Sequence, residues 1–260
     1  MRALFAVTAI AVVTSCSSEA TPVDRATPDP RPSLRAEVVE TLPHDATAFT
    51  QGLELAGDTL YEGTGMEGES SVRAVDPATG EVLREVPLPD DLFGEGITVV
   101  GDTIWQLTWR DGVALRRDRE TLAERDRVGY EGEGWGLCHD GERLVMSDGT
   151  AELTFRDPET FAETGRVEVR DGDDPVTQLN ELECVDGQVY ANVWHTDRIV
   201  RIDPETGLLT ATVDLEGLLS ESELADADVL NGIAAVADTD EFLVTGKYWP
   251  KMFRVRFVPL

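Results

Sequence analysis

The sequence predicts an all-β chain: a five-bladed β-propeller of four-stranded blades, its ring closed by an N-terminal strand. Three observations carry this. A turn signature recurs at Asp76-Pro-Ala-Thr-Gly80, Asp118-Arg-Glu-Thr-Leu122, Asp157-Pro-Glu-Thr-Phe161 and Asp203-Pro-Glu-Thr-Gly207, at intervals of 42, 39 and 46 residues. Each interval divides into four short runs with strand-like alternation, as in Arg198-Ile-Val-Arg-Ile-Asp203. The last repeat lacks its fourth run, and an unassigned run precedes the first. A period of about 40–45 residues with several strands per repeat is the pattern of a propeller blade.

Taken in order, the first blade is expected over 50–55, 59–64, 71–76 and 81–88, and the second over 95–100, 103–109, 113–118 and 122–128. The third follows over 134–138, 143–148, 151–157 and 163–170, and the fourth over 179–185, 188–194, 198–203 and 208–215. The fifth offers only 231–236, 241–247 and 252–257; the segment Ala36–Leu42 is expected to supply its missing strand, which would remove two exposed edges. The stretch 216–227 is predicted as a helical insertion before the last blade.

The N-terminal residues read as export and anchoring signals. Arg2 is followed by the apolar run Leu4–Val13, too short for a membrane span, and then by Val13-Thr14-Ser15-Cys16, which resembles a bacterial lipobox. The expectation is a signal peptide over 1–15, lipidation of Cys16, a flexible Ser-, Thr- and Pro-rich tether over 16–35 and the propeller over 36–260. The mature protein is then an exported lipoprotein facing the periplasm or the extracellular side, touching the membrane only through Cys16 and acting as a monomer. Cys138 and Cys184 remain; export permits a disulfide, but their spacing does not establish one, and buried free thiols are expected. The formal net charge of −29, with Lys247 and Lys251 the only lysines, argues against a nucleic-acid partner. It reads as a solvated acidic surface or as a field that attracts cationic peptides.

Stacking the repeats selects a site. The first strand of each repeat lies nearest the axis. Aligning these strands places Leu53, Ile97, Leu137, Leu182 and Ile233 in an apolar layer, and two residues earlier a ring of Gln51, Glu95, Trp135, Asn180 and Asn231. Alternation puts both rings on one strand face. Aligning the second strands places Gly65, Trp109, Gly149, Trp194 and Lys247 at the same mouth of the channel. Buried polar groups need partners, so a ring of amides and a carboxylate is not a structural core. One carboxylate, three amides, three of the five tryptophans and a lysine make a small-ligand pocket.

Several strings resemble the glutamine cyclotransferase family of plants and bacteria. They are Phe49-Thr-Gln-Gly-Leu53, Phe93-Gly-Glu-Gly-Ile97, Gly134-Trp-Gly-Leu137, Ser147-Asp-Gly-Thr150, Leu179-Asn-Glu-Leu-Glu183, Ala191-Asn-Val-Trp194, Asp228-Val-Leu-Asn-Gly-Ile233 and Thr245-Gly-Lys-Tyr-Trp-Pro-Lys251. They span residues 45–257 in the family's order; Tyr248 and the N-terminal tether depart from it. The resemblance implies a five-bladed propeller unrelated to the zinc-dependent animal cyclases. It implies Glu95 as the acidic catalytic residue and Gln51, Trp109, Trp135, Asn180, Trp194 and Lys247 as substrate-pocket residues. Lys247 is counted with Glu95 as catalytic, and Asn231 joins the substrate-binding set through the ring. The implied substrate is a peptide or protein with N-terminal glutamine.

Other motifs fail their own context. Gly63-Thr-Gly-Met-Glu-Gly68 precedes a strand rather than the helix a dinucleotide site requires. His44, His139 and His195 lack metal-ligand spacing, and Asp171-Gly-Asp-Asp174 lacks the distal glutamate of a calcium loop. No cofactor or metal is expected. Two readings of other classes stand beside the cyclotransferase: a lipid-anchored propeller that binds a peptide or protein without turnover, and a calcium-dependent lactonase, which needs several carboxylates where the ring has one.

Overall fold

The computed structural model describes residues 31–260. The expected leader, the lipidation position Cys16 and most of the tether lie outside them. All regular structure in the described residues is β. The first strand, β1 (Ser33–Pro43), precedes the repeats. The first repeat holds β2 (Thr50–Ala56), β3 (Thr59–Thr64), β4 (Ser71–Val75) and β5 (Val82–Pro87). The second holds β6 (Gly94–Val100), β7 (Thr103–Thr108), β8 (Val113–Asp118) and β9 (Glu124–Gly129). The third holds β10 (Leu137–His139), β11 (Leu144–Ser147), β12 (Glu152–Arg156) and β13 (Glu163–Glu168), followed by the short hairpin β14 (Arg170–Asp171) and β15 (Asp174–Pro175). The fourth holds β16 (Leu179–Val185), β17 (Gln188–Val193), β18 (Arg198–Ile202) and β19 (Leu209–Asp214). The last holds β20 (Leu230–Ala235), β21 (Glu241–Gly246) and β22 (Lys251–Pro259).

The first three repeats are separate four-stranded sheets, and the architecture is propeller-like. β1 joins the rest into one eight-stranded sheet, in the order β16-β17-β18-β19-β1-β22-β21-β20. It runs antiparallel to β22 from Leu34 opposite Pro259 to Pro43 opposite Lys251, and parallel to β19 over Ser33–Arg35. The strand thus begins at Ser33, three residues inside the stretch expected as tether, and Leu34 is buried against Val213 and Phe253.

The repeated signature is a turn that closes on itself. In each copy the aspartate side chain accepts from a backbone N–H two or three residues on, as Asp76 does from Ala78 and Thr79 and Asp157 from Glu159 and Thr160. The fifth residue donates its N–H back to the aspartate carbonyl in all four. That residue has positive φ each time: Gly80 at 70°, Leu122 at 61°, Phe161 at 62° and Gly207 at 72°. Glycine is the ordinary choice there, so Leu122 and Phe161 hold the conformation because both are buried in cores.

Five apolar clusters lie between consecutive repeats, and one of them joins the last repeat to the first. Leu53 packs with Ala234, Leu243 and Met252; Ile97 with Tyr61 and Val72; Leu137 with Trp105 and Leu107; Leu182 with Val145 and Leu153; Ile233 with Ile199 and Val213. The residues expected as one apolar layer around the channel are therefore distributed one to each core.

Two further expectations are corrected. Cys138 and Cys184 form a disulfide across β10 and β16, with Cα atoms 5.4 Å apart, rather than remaining free thiols. The inner strands of neighbouring repeats lie side by side, which repeat stacking brings together and linear spacing does not. The stretch 216–227 is a run of turns, not a helix. Glu223 Oε2 accepts from both Ser220 N and Ser220 Oγ, which is one half of the pairing that starts a helix, but the segment that follows is short and acidic, and one or two turns do not repay helix nucleation.

Candidate active site

At one mouth of the barrel of inner strands lies a cavity of about 160 Å³ lined by Phe49, Gln51, Phe93, Glu95, Trp109, Trp135, Asn180, Trp194 and Lys247. Drug-sized ligands occupy about 300–1,000 Å³, so this volume suits a single residue-sized group. Seven of the eight expected pocket residues meet here. The eighth, Asn231, does not line the cavity. It is fully buried behind Gln51, where its Nδ2 donates to Thr50 O at 3.0 Å and to Gln51 Oε1 at 3.3 Å.

The strand register explains how these side chains reach the mouth. In β2–β3 the pairing slips between Thr50 and Gly52, in β6–β7 between Gly94 and Ile97, in β16–β17 between Leu179 and Leu182, and in β20–β21 between Leu230 and Ile233. Each slip inserts one extra residue beside the ring position, giving a β-bulge at Gln51, Glu95, Asn180 and Asn231. A bulge re-aims a side chain out of the pleat. Simple alternation, which would put ring and apolar layer on one face, is broken at this step.

The two glycines in the second-strand ring make room for aromatic walls. A Cβ on Gly65 would lie 2.5 Å from Phe93 Cε1, and one on Gly149 would lie 2.6 Å from Trp135 Cζ2. Gly149 also has a φ of 81°. The rings so admitted pack edge to face: Trp135 on Trp194 with centroids 5.4 Å apart, and Phe49 on Phe93 at 6.1 Å.

The polar groups are partly paired and partly open. Gln51 Nε2 donates to Glu95 Oε1 at 2.8 Å. Glu95 Oε2 and Asn180 Oδ1 are buried without a protein partner, so each is available to a ligand. Burial pushes the Glu95 carboxyl well above its ordinary range; Lys247 opposes this and Glu133 adds to it. Burial lowers the Lys247 ammonium, with Glu95 and Asp228 drawing it back up. Lys247 Nζ sits 4.5 Å from the centre of the Phe49 ring.

Phe49, Phe93 and Glu133 are the contributors that the ring alignment passes over. All three lie two residues before a ring position, so carrying the same stack one step further outward selects them. Behind the cavity, Glu181 occupies the place held by glycine in the other inner strands. Its carboxyl accepts Leu53 N at 3.1 Å and Ile233 N at 2.8 Å, tying β16 to β2 and β20. Among the described residues no cluster of three or more His, Cys, Asp and Glu side chains has metal-holding geometry.

Residues 6–257 match the model of the glutamine cyclotransferase family. The chain belongs to this family. It is 42% identical over 225 residues to glutaminyl-peptide cyclotransferase of Arabidopsis thaliana, covering 85% of this chain and 70% of that protein. The crystal structure of Myxococcus xanthus glutaminyl cyclase superposes with a TM-score of 0.80 at 34% identity, covering 88% of this chain and 99% of that one.

Proposed function

We infer that this chain closes the N-terminal glutamine of peptides to pyroglutamate and releases ammonia. The observation that carries this is a residue-sized aromatic cavity holding one buried carboxylic oxygen without a partner, in a glutamine cyclotransferase. The α-amine of the substrate attacks its own side-chain amide carbon. A new N–C bond forms, the bond from that carbon to the amide nitrogen breaks, and one proton must travel from the amine to the leaving nitrogen.

We assign the roles as follows. The walls Trp109, Trp135 and Trp194 fold the glutamine side chain back on its amine, a proximity effect. Glu95 takes the amine proton on Oε2 and returns it to the leaving nitrogen, while Gln51 holds Oε1 in place. Lys247 stabilises the negative oxygen of the tetrahedral intermediate. Asn180 Oδ1 accepts an N–H of the substrate. The reaction needs no metal, so activity is expected to survive dialysis against EDTA; loss restored by added zinc or calcium would refute this. Incubating the purified protein with a Gln-Xaa peptide and measuring ammonia tests the whole reading. Tight peptide binding without ammonia would favour the non-catalytic binder.

The strand order supports a ring of five four-stranded blades in which β1 supplies the fourth strand of the last blade. Beyond the described residues, we propose that the chain is exported and anchored through Cys16 as a monomer. Cys16→Ala is then expected to move it from the membrane to the soluble fraction.

A further inference from the structure

We propose that Glu133 is a positioning residue that locks the Trp109 and Trp135 indoles into one wall and thereby sets affinity for the glutamyl substrate. Its Oε2 accepts from Trp109 Nε1 at 2.9 Å and from Trp135 Nε1 at 3.1 Å, and its Oε1 accepts from Arg110 Nε at 2.9 Å. One carboxylate oxygen therefore ties together two rings contributed by different repeats. The Arg110 guanidinium lies 3.7 Å from the centre of the Trp109 ring and braces it from the other side.

Glu133 itself is not part of the cavity lining. Its side chain is about a third exposed, at 36%, so its place is not imposed by core packing. Hydrogen bonds to a charged acceptor are about twice as strong as neutral ones, which suits a group that must hold two indoles in register. An aromatic wall displaced by about 1 Å can cost on the order of 100-fold in a positioned reaction. Of the other tryptophans, Trp105 donates to Pro158 O and Trp249 to Asp228 O, away from this carboxylate. They are internal controls.

The effect on affinity rests on the reading of the cavity as the glutamine site, whereas the effect on the indoles does not. The test therefore has two parts on Glu133→Ala and Glu133→Gln. Without substrate, the indole N–H resonances of Trp109 and Trp135 in a ¹⁵N-labelled protein are expected to shift in Glu133→Ala, while those of Trp105 and Trp249 stay. With a Gln-Xaa peptide, KM is expected to rise about 10- to 100-fold and kcat to fall less. Glu133→Gln keeps one oxygen that can accept both indoles; its amide displaces only the exposed Arg110, so most of the KM should recover. Unmoved Trp109 and Trp135 signals, a KM within about twofold of wild type, or equal loss in both variants would overturn the proposal.

Discussion

Gln51 Nε2 donates to Glu95 Oε1 at 2.8 Å, and Asn231 Nδ2 in turn donates to Gln51 Oε1 at 3.3 Å. The second contact decides which end of the Gln51 amide faces the carboxyl. Asn231, behind the cavity, thus fixes the orientation of the group that leaves Glu95 Oε2 free. Asn231→Leu is expected to lower kcat by about 10-fold with KM little changed, measured on a Gln-Xaa peptide.

Glu95→Gln keeps size and hydrogen bonding but carries no transferable proton. Turnover is expected to fall by about 10²–10⁴-fold with a small change in KM, after circular dichroism confirms folding. A folded variant with near-normal turnover would remove Glu95 from the mechanism.

Lys247→Ala removes both the charge that would face the developing oxyanion and the charge that opposes the rise in the Glu95 pKa. The first effect is expected to lower kcat by about 10²–10³-fold. The second has a definite sign. Without the ammonium, Glu95 holds its proton to higher pH, so the acid limb of the kcat/KM profile should move to higher pH. A limb that moves to lower pH, or not at all, contradicts the coupling of these two groups.

His44 links the start of the fold to its end. Its Nδ1 bonds Trp249 O at 2.6 Å and its Nε2 lies 3.0 Å from Glu62 Oε1. Burial alone would lower its pKa, but the Glu62 charge, that hydrogen bond and the Trp249 carbonyl outweigh it and raise the pKa above 6.5. A raised histidine stabilises the fold fully below its unfolded pKa of about 6.5, and this contribution is lost as pH rises through the folded value. Denaturant midpoints should therefore fall more between pH 6 and pH 9 in the wild type than in His44→Gln. Equal falls would show that His44 does not titrate with folding.

The Cys138–Cys184 disulfide closes a loop with a sequence separation of 46 residues. By loop entropy such a link is worth about 4 kcal/mol, and typical measured values are about 2–4 kcal/mol. At roughly 2–4 °C per kcal/mol for a domain of this size, the Cys138→Ser/Cys184→Ser variant should melt about 4–16 °C lower. A calorimetric scan of the two proteins checks this.

The repeat and the pocket were legible for the same reason: the turn signature recurs at a fixed place in four repeats, and so does the bulge. Gln51, Glu95 and Asn180 could be found by stacking without knowing that a bulge was there. What the bulge does could not be read, because one inserted residue leaves the spacing from Gln51 to Leu53 looking like ordinary alternation. Asn231 stacks with the ring yet lies behind it, since depth along a strand direction is invisible to alignment. The disulfide was missed because it joins inner strands of adjacent repeats, a neighbour relation that linear distance hides. The 216–227 turn carried helix-start chemistry without the length to propagate it.

The pairing of β1 with β22 has a consequence for biogenesis. Gln51 comes from the first repeat and Lys247 from the last, and the strand that follows Lys247 is the one that clasps the N-terminal strand. Leu53 already packs with Ala234 and Leu243 across the same seam, and pairing of β1 with β22 adds the backbone ladder that holds the first and last repeats together. A chain clipped before β22 loses that ladder, so its ammonia release is expected to fall even where the earlier sheets have formed.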